Sequence, residues 1–305
     1  MKRQRIQNRA ASVRQKLLNR TRERDEDFQL VLTQYALERF LFRLGKSKYA
    51  NDFVLKGAFL YLIWVDQPYR PTRDIDLLGF VENSSERLIT VFKDLCGMDE
   101  DDGLVFESHS LSAEEIREDL EYNGLRITLM AKLEVAKIPL QIDIGFGDVV
   151  TPGPKYENVP TILDMPAPRI RIYSKESVIS EKYEAMVRLG IANSRMKDFY
   201  DVWILAKEFG FHGQSIARAM RATFRRRRTV LPKYIPAALS PDFHQDPVKQ
   251  GQWRAFLARS RLRIPPSDFE DVIDLIDSFL MAPTEALNHG KQFKSVWPAG
   301  GPWEA

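Results

Sequence analysis

The chain has 305 residues, 44% hydrophobic and 29% charged, with 18 Phe, 10 Tyr and 5 Trp, enough to build the cores of about two domains and to exclude wholesale disorder. Its longest apolar run, Ala58 to Val65, is far short of the ~20 residues of a membrane span, and its basic N-terminus lacks the apolar stretch of a secretory signal, so a soluble cytoplasmic protein is expected. One cysteine, Cys96, and four scattered histidines exclude a disulfide framework and argue against a zinc site, while the net charge of +3 conceals blocks of +7 over residues 1–25 and −9 over 98–121.

In chain order, residues 1–25 are polar and basic with weak periodicity, a helical or frayed arm. Apolar residues from Phe28 to Leu41 recur at three- and four-residue spacing and predict an amphipathic helix over 26–45. Phe53-Val54-Leu55 predicts a short strand, followed by Lys56-Gly57 and a buried helix from Ala58 to Trp64. A loop is expected between Pro68 and Pro71. Asp74 to Phe80 reads as a strand entering a core, and 84–96 as a helix capped by Ser84 or Ser85. Strands are predicted at 104–108 and 125–135, a turn at Ala136-Lys137-Ile138-Pro139, and a hairpin partner from Leu140 to Phe146. A proline-rich connector over 151–168 leads to a last short strand, Arg169 to Tyr173. Beyond it the pattern is helical: 175–190, 197–209, 213–224, 248–258 and 268–280, then a Gly/Pro-rich end. The chain is thus mixed α/β to residue 173 and helical afterwards. The expected organisation is a basic arm (1–25), a mixed α/β domain (26–173) and a helical C-terminal domain (174–305).

The sharpest local feature is Arg73-Asp74-Ile75-Asp76-Leu77. On a strand, residues two apart share a face, so Asp74 and Asp76 stand together while Ile75 and Leu77 face the core. Adjacent carboxylates repel unless a cation sits between them, and such hard oxygen donors suit Mg²⁺; two ordinary surface acids are the plainer alternative. Asp143, between Ile142 and Ile144 on the polar side of a hairpin strand, offers a third carboxylate, and three on neighbouring strands can hold two Mg²⁺. Lys56-Gly57-Ala58 lies between a strand and a helix, where backbone N–H groups can approach a phosphate, although a simple tight turn needs the same glycine. Lys182 and Asp198 by themselves read as a surface lysine and a helix N-terminal acid.

Leu55-Lys56-Gly57, Arg73-Asp74-Ile75-Asp76-Leu77, Ile142 to Asp148, Glu181-Lys182 and Arg195 to Asp201 occur in that order. Together they resemble the AbiEii/AbiGii toxin family of nucleotidyltransferases in the DNA polymerase β-like superfamily, toxins of type IV-like toxin–antitoxin and abortive-infection systems. The resemblance covers roughly residues 26–210. It implies an α/β (α+β) nucleotidyltransferase domain with a mixed sheet and a helical C-terminal domain. It also implies Mg²⁺-dependent (or Mn²⁺-dependent) transfer of a nucleoside monophosphate from an NTP to RNA, notably the 3′ end of tRNA, which stops translation. Carried across, Asp74 and Asp76 are the metal pair and Asp143 the third carboxylate. Lys56, Gly57, Ala58 and Arg73 lie in the nucleotide-binding segments. Lys182 matches a phosphate-contacting lysine and Asp198 the acid of the last motif. Where the family has Gly-Gly or Gly-Ser, Ala58 follows Gly57 here: the backbone cradle is kept, without a hydroxyl to meet the phosphate.

Residues 209–241 carry seven Lys/Arg and no acid, including Arg225-Arg226-Arg227-Arg228. This block and the N-terminal one are expected to bind RNA phosphates, a solvated helix face being the alternative for each. An AbiEi-like antitoxin is the expected protein partner, and no membrane is involved. Two other readings stay open: a small-molecule, antibiotic-type nucleotidyltransferase, which would not need the basic surface, and a non-catalytic RNA-binding protein, against which the Asp74/Asp76/Asp143 set counts.

Overall fold

The structure, a computed structural model, describes residues 2–65, 72–119, 122–260, 262 and 264–305, so the loop expected between Pro68 and Pro71 lies outside the described residues. The chain divides into two units, Met1–Gly147 with Lys155–Ile172, and Asp148–Pro154 with Tyr173–Ala305.

The first unit opens with two helices, α1 (Lys2–Arg24) and α2 (Phe28–Lys46). The basic N-terminal segment is helical because Ala10, Val13 and Leu17, three and four residues apart, are buried. Part of its charge is matched within the unit: Arg9 lies 3.8 Å from Asp101 in the acidic block, and Arg14 3.8 Å from Glu134. Asp27 caps α2 by accepting from the Leu30 N–H at 2.7 Å. After β1 (Phe53–Lys56) the chain turns through one 3₁₀ turn, Gly57–Phe59, into the short helix α3 (Leu60–Trp64). Then come β2 (Ile75–Gly79), α4 (Ser85–Cys96), whose cap is Ser84, and three long strands: β3 (Leu104–Asp119), β4 (Tyr122–Leu133) and β5 (Ala136–Phe146). Two short strands, β6 (Lys155–Asn158) and β7 (Arg169–Ile172), complete a seven-stranded sheet in the order β3-β4-β5-β2-β1-β7-β6. The sheet is mixed: β1 is antiparallel to β2 and parallel to β7, and β2 is parallel to β5. Helix α4 is locked to the rest by Phe92, stacked on Phe40 of α2 at 5.4 Å and edge-on to Phe53 of β1 at 6.4 Å.

Four details differ from expectation. The segment 151–168, expected as a proline-rich connector, carries strand β6, paired with β7. The turn between β4 and β5 is Glu134-Val135, with Glu134 at φ 55°, so Val135 is 81% exposed rather than core-facing. Pro139 pairs with Met130 inside the ladder; β2 reaches only Ile142 to Phe146 on the other edge of β5, so the missing N–H of Pro139 is on an unpaired stretch. Strand β3 runs to Asp119, well beyond residue 108, with irregularities at Glu107/Ser112 and Arg117/Asp119 that break the alternation a strand is recognised by.

Under the sheet, α2 buries charge. Arg43 donates to both oxygens of Asp102, at 2.6 and 3.2 Å, and Glu38 accepts from the Ile162 N–H at 2.7 Å and faces Arg39 at 3.4 Å. Burial outweighs these partners and pushes the Glu38 carboxyl up to about 7.

The second unit is helical: α5 (Lys175–Leu189), α6 (Met196–Glu208), α7 (Gly213–Arg226), α8 (Pro241–His244), α9 (Pro247–Ser260) and α10 (Phe269–Asn288), with a two-strand ladder of β8 (Phe211–His212) and β9 (Val296–Trp297). Its core is aromatic: Phe269 stacks on Trp253 at 4.6 Å and meets Phe199 edge-on at 5.7 Å. Helix α10 continues past Pro283, eight residues beyond its expected end at 280. The Phe279 carbonyl, which Pro283 cannot bond, accepts instead from the indole N–H of Trp303 at 3.0 Å.

Candidate active site

Strand β2 is the middle strand of the seven. Ile75 and Leu77 are buried and Asp74 and Asp76 half-buried, as the alternation requires. The register then sets Asp76 opposite Lys56 on β1 and opposite Asp143 on β5, and Asp143 opposite Arg126 on β4. Directly paired residues share a face, so Lys56, Asp76, Asp143 and Arg126 form one row across four strands, two acids flanked by two bases.

The outer pair is closed. Arg126 Nε donates to Asp143 Oδ1 and its Nη2 to Oδ2, both at 2.8 Å, and Gln141 Nε2 donates to Oδ2 at 3.2 Å. The hydrogen bond to Asp143 raises the guanidinium pKa against the opposing effect of burial, and the charges of Asp143 and Asp74 add to it. At the inner end Thr72 Oγ1 lies 3.0 Å from Asp74 Oδ1 and donates to it. Gly57 leaves β1 at φ 73°, and a Cβ there would collide with Asp76 Oδ2. The position therefore needs glycine twice over, for its left-handed backbone and for the carboxylate packed against it.

Asp74 and Asp76 are adjacent hard-oxygen donors on a half-exposed face, which suits Mg²⁺, an ion held by one or two carboxylates together with substrate phosphates. Among the described residues no group of three His, Cys, Asp or Glu side chains is arranged to hold a metal ion. Of the three expected carboxylates, Asp74 and Asp76 lie on the half-exposed face, and both oxygens of Asp143 are held by Arg126.

The second unit carries its own cluster. Ser174 caps α5, accepting from the Ser177 N–H at 3.2 Å, and α5 presents Lys182. The Lys182 ammonium donates to Asp198 Oδ1 at 2.6 Å and lies 3.0 Å from Asp201 Oδ2. These acids are three apart on one face of α6 and only 4% and 2% exposed, so Asp198 and Asp201 act here as holders of an amine.

A family model described as nucleotidyl transferase AbiEii toxin, type IV TA system, matches residues 39–275. The chain belongs to the AbiEii family. It is a nucleotidyltransferase, built as a mixed α/β sheet domain followed by a largely helical region. No curated protein matches it. Two solved structures from Helicobacter pylori are similar, both with a TM-score of 0.48. JHP933 is 16% identical and matches over 87% of this chain and 95% of its own length. A second, named as a candidate nucleotidyltransferase, is 15% identical over 87% and 99%.

In this AbiEii-family enzyme, Arg73 is exposed and Ala58 buried beside Gly57. Of the four arginines at the end of α7, Arg225, Arg226 and Arg228 are exposed, but Arg227 is not available to a phosphate. It lies 3.0 Å from Glu184, 3.2 Å from Asp148 and 3.3 Å from Glu181. Burial disfavours its charge, yet these carboxylates outweigh that and raise its pKa. The reading of Arg227 as an RNA contact is corrected by these three partners. Two further residues, Arg126 and Asp201, belong to these clusters without standing in the expected set. Asp201 carries a signal, its three-residue spacing from Asp198; Arg126 carries only its place on the polar side of an alternating strand.

Proposed function

We propose that this enzyme transfers a nucleoside monophosphate from an NTP to an RNA acceptor, first of all the 3′ end of tRNA, and so blocks translation in the cytoplasm, with an AbiEi-like antitoxin as its partner. The observation that carries the reading is the Asp74–Asp76 pair at the start of the middle strand, with Asp76 packed against the bare backbone of Gly57. Asp74 and Asp76 would hold Mg²⁺, or Mn²⁺ in its place. Bound there, the ion would supply charge neutralisation on the leaving pyrophosphate and orientation of the attacking oxygen. Lys56, the Gly57-Ala58 backbone and Arg73 bind the nucleotide phosphates. Lys182 stabilises the charge that grows on the β and γ phosphates, and Asp198 keeps its ammonium in place. Arg225, Arg226 and Arg228 supply phosphate contacts to the RNA.

The test is incubation of the purified protein with each labelled NTP in turn and total RNA. Label is expected in RNA with one nucleotide preferred, at the 3′ end of tRNA, and absent with Asp74→Ala. Label recovered only in small molecules would overturn the RNA acceptor, and no transfer from any NTP would overturn the reading as a whole.

A further inference from the structure

We propose that Arg126 is a latch on the third carboxylate: it keeps Asp143 closed to a divalent cation and releases it when a nucleotide's phosphates draw the guanidinium away. The inference rests on the reading of Asp74 and Asp76 as a metal pair.

Three observations carry it. The fork is complete, with Nε and Nη2 each 2.8 Å from a different oxygen of Asp143, so a cation approaching this carboxylate meets both the guanidinium charge and two charge-assisted hydrogen bonds. The pair is set by the ladder, since Arg126 and Asp143 are direct register partners, and the latch therefore forms whenever the sheet does. Exposure is unequal: the Arg126 side chain is 36% exposed and that of Asp143 11%. The guanidinium can thus leave towards solvent or a soluble polyanion, while the carboxylate stays on its strand beside Asp76. A purely structural pair would not need its base on the half-exposed side of a row that already contains Asp76.

A latch that excludes a cation and attracts a polyanion has a signature of opposite signs. In Arg126→Gln, Mn²⁺ alone, followed by electron paramagnetic resonance of the free ion, should bind about tenfold more tightly, because a like charge is removed from beside the carboxylates. NTP binding without metal, in EDTA, should weaken several-fold. Arg126→Lys, which keeps the charge without the fork, should fall between wild type and Arg126→Gln in Mn²⁺ affinity. Adding Asp143→Asn to Arg126→Gln should return Mn²⁺ affinity to the wild-type level. Weakening of both ligands, an unchanged Mn²⁺ affinity, or a gain that survives Asp143→Asn would each overturn the latch. Asp74→Asn tests the reading beneath it separately: if Mn²⁺ binds this variant as it binds wild type, the metal pair itself is wrong, whatever Arg126 does.

Discussion

The charged row on the sheet and the charged knot between α5 and α6 solve opposite problems. On the sheet, strand pairing places Lys56, Asp76, Asp143 and Arg126 at one register level, and Asp74 and Asp76 remain half-exposed. Between the helices, Asp198 and Asp201 are buried and close on the Lys182 ammonium. Strand register fixes spacing through the backbone, so acids can be held side by side and still face a ligand. Helix faces fix only direction, so the acids there need a long side chain to meet them, and the amine is what the cluster displays. On the proposed reading Asp74 and Asp76 would be the ligands, while Asp198 and Asp201 hold the Lys182 amine.

The sharpest way to break this distinction is to delete carboxylates on each side. Asp74→Ala and Asp76→Ala should each lower transfer by about a thousandfold or more, and Asp74→Ala should melt within a few degrees of wild type. Asp198→Asn and Asp201→Asn should cost less activity and more stability; if they instead match Asp74→Ala in activity with unchanged melting, they are ligands too. Lys182→Met should reduce turnover by about a hundredfold or more. It should also destabilise the second unit by about 3 kcal/mol, because two buried carboxylates lose their cation. Activity lost with no change in melting would show that the lysine is not held as described.

Within the arginine run the same contrast between ligand and support applies. Arg227→Gln should lower stability by about 3 kcal/mol or more, since it strips the cation from Asp148, Glu181 and Glu184. Replacing Arg225, Arg226 and Arg228 with Gln should cost far less stability than Arg227→Gln. It should flatten the salt dependence of RNA binding by about 0.7 for each single-strand phosphate that is no longer neutralised. An unchanged slope would remove this surface from the RNA path. Gly57→Ala should cost about 1–3 kcal/mol in stability, through its left-handed backbone and the close approach to Asp76, measured by chemical denaturation.

A further effect is on pH. Glu38 holds its proton to about pH 7 in the folded chain and to about 4.5 unfolded, so between these values the native state binds more protons. Stability of the first unit should thus fall as pH rises from about 4.5 through 7, and Glu38→Gln should flatten that slope in denaturation curves taken at several pH values. A slope that persists in the variant assigns the dependence to other groups.

Most elements could be read from the chain because their signals are local. The period of Phe28 to Leu41, the alternation around Asp74 to Phe80, and the change at residue 173 are each set by which residues must be buried on a helix or a strand. The Asp74–Asp76 pair was legible for the same reason, since two-residue spacing decides a common face. The contact of Lys182 with Asp198 was not, since the resemblance to a family named both residues without joining them. What failed were properties that depend on a distant partner. Pro139 read as a turn because nothing local shows which edge of a strand goes unpaired. Arg227 read as one of four equal arginines because Asp148, Glu181 and Glu184 approach it only in three dimensions. Asp143 read as an open ligand because its partner on β4 is fixed by register, which is a property of the ladder and not of either strand. The sequence by itself determined most of the elements, their order and the family; the tertiary structure alone decided which charges face each other, because Coulomb interactions follow distance in space and the chain encodes only distance along itself.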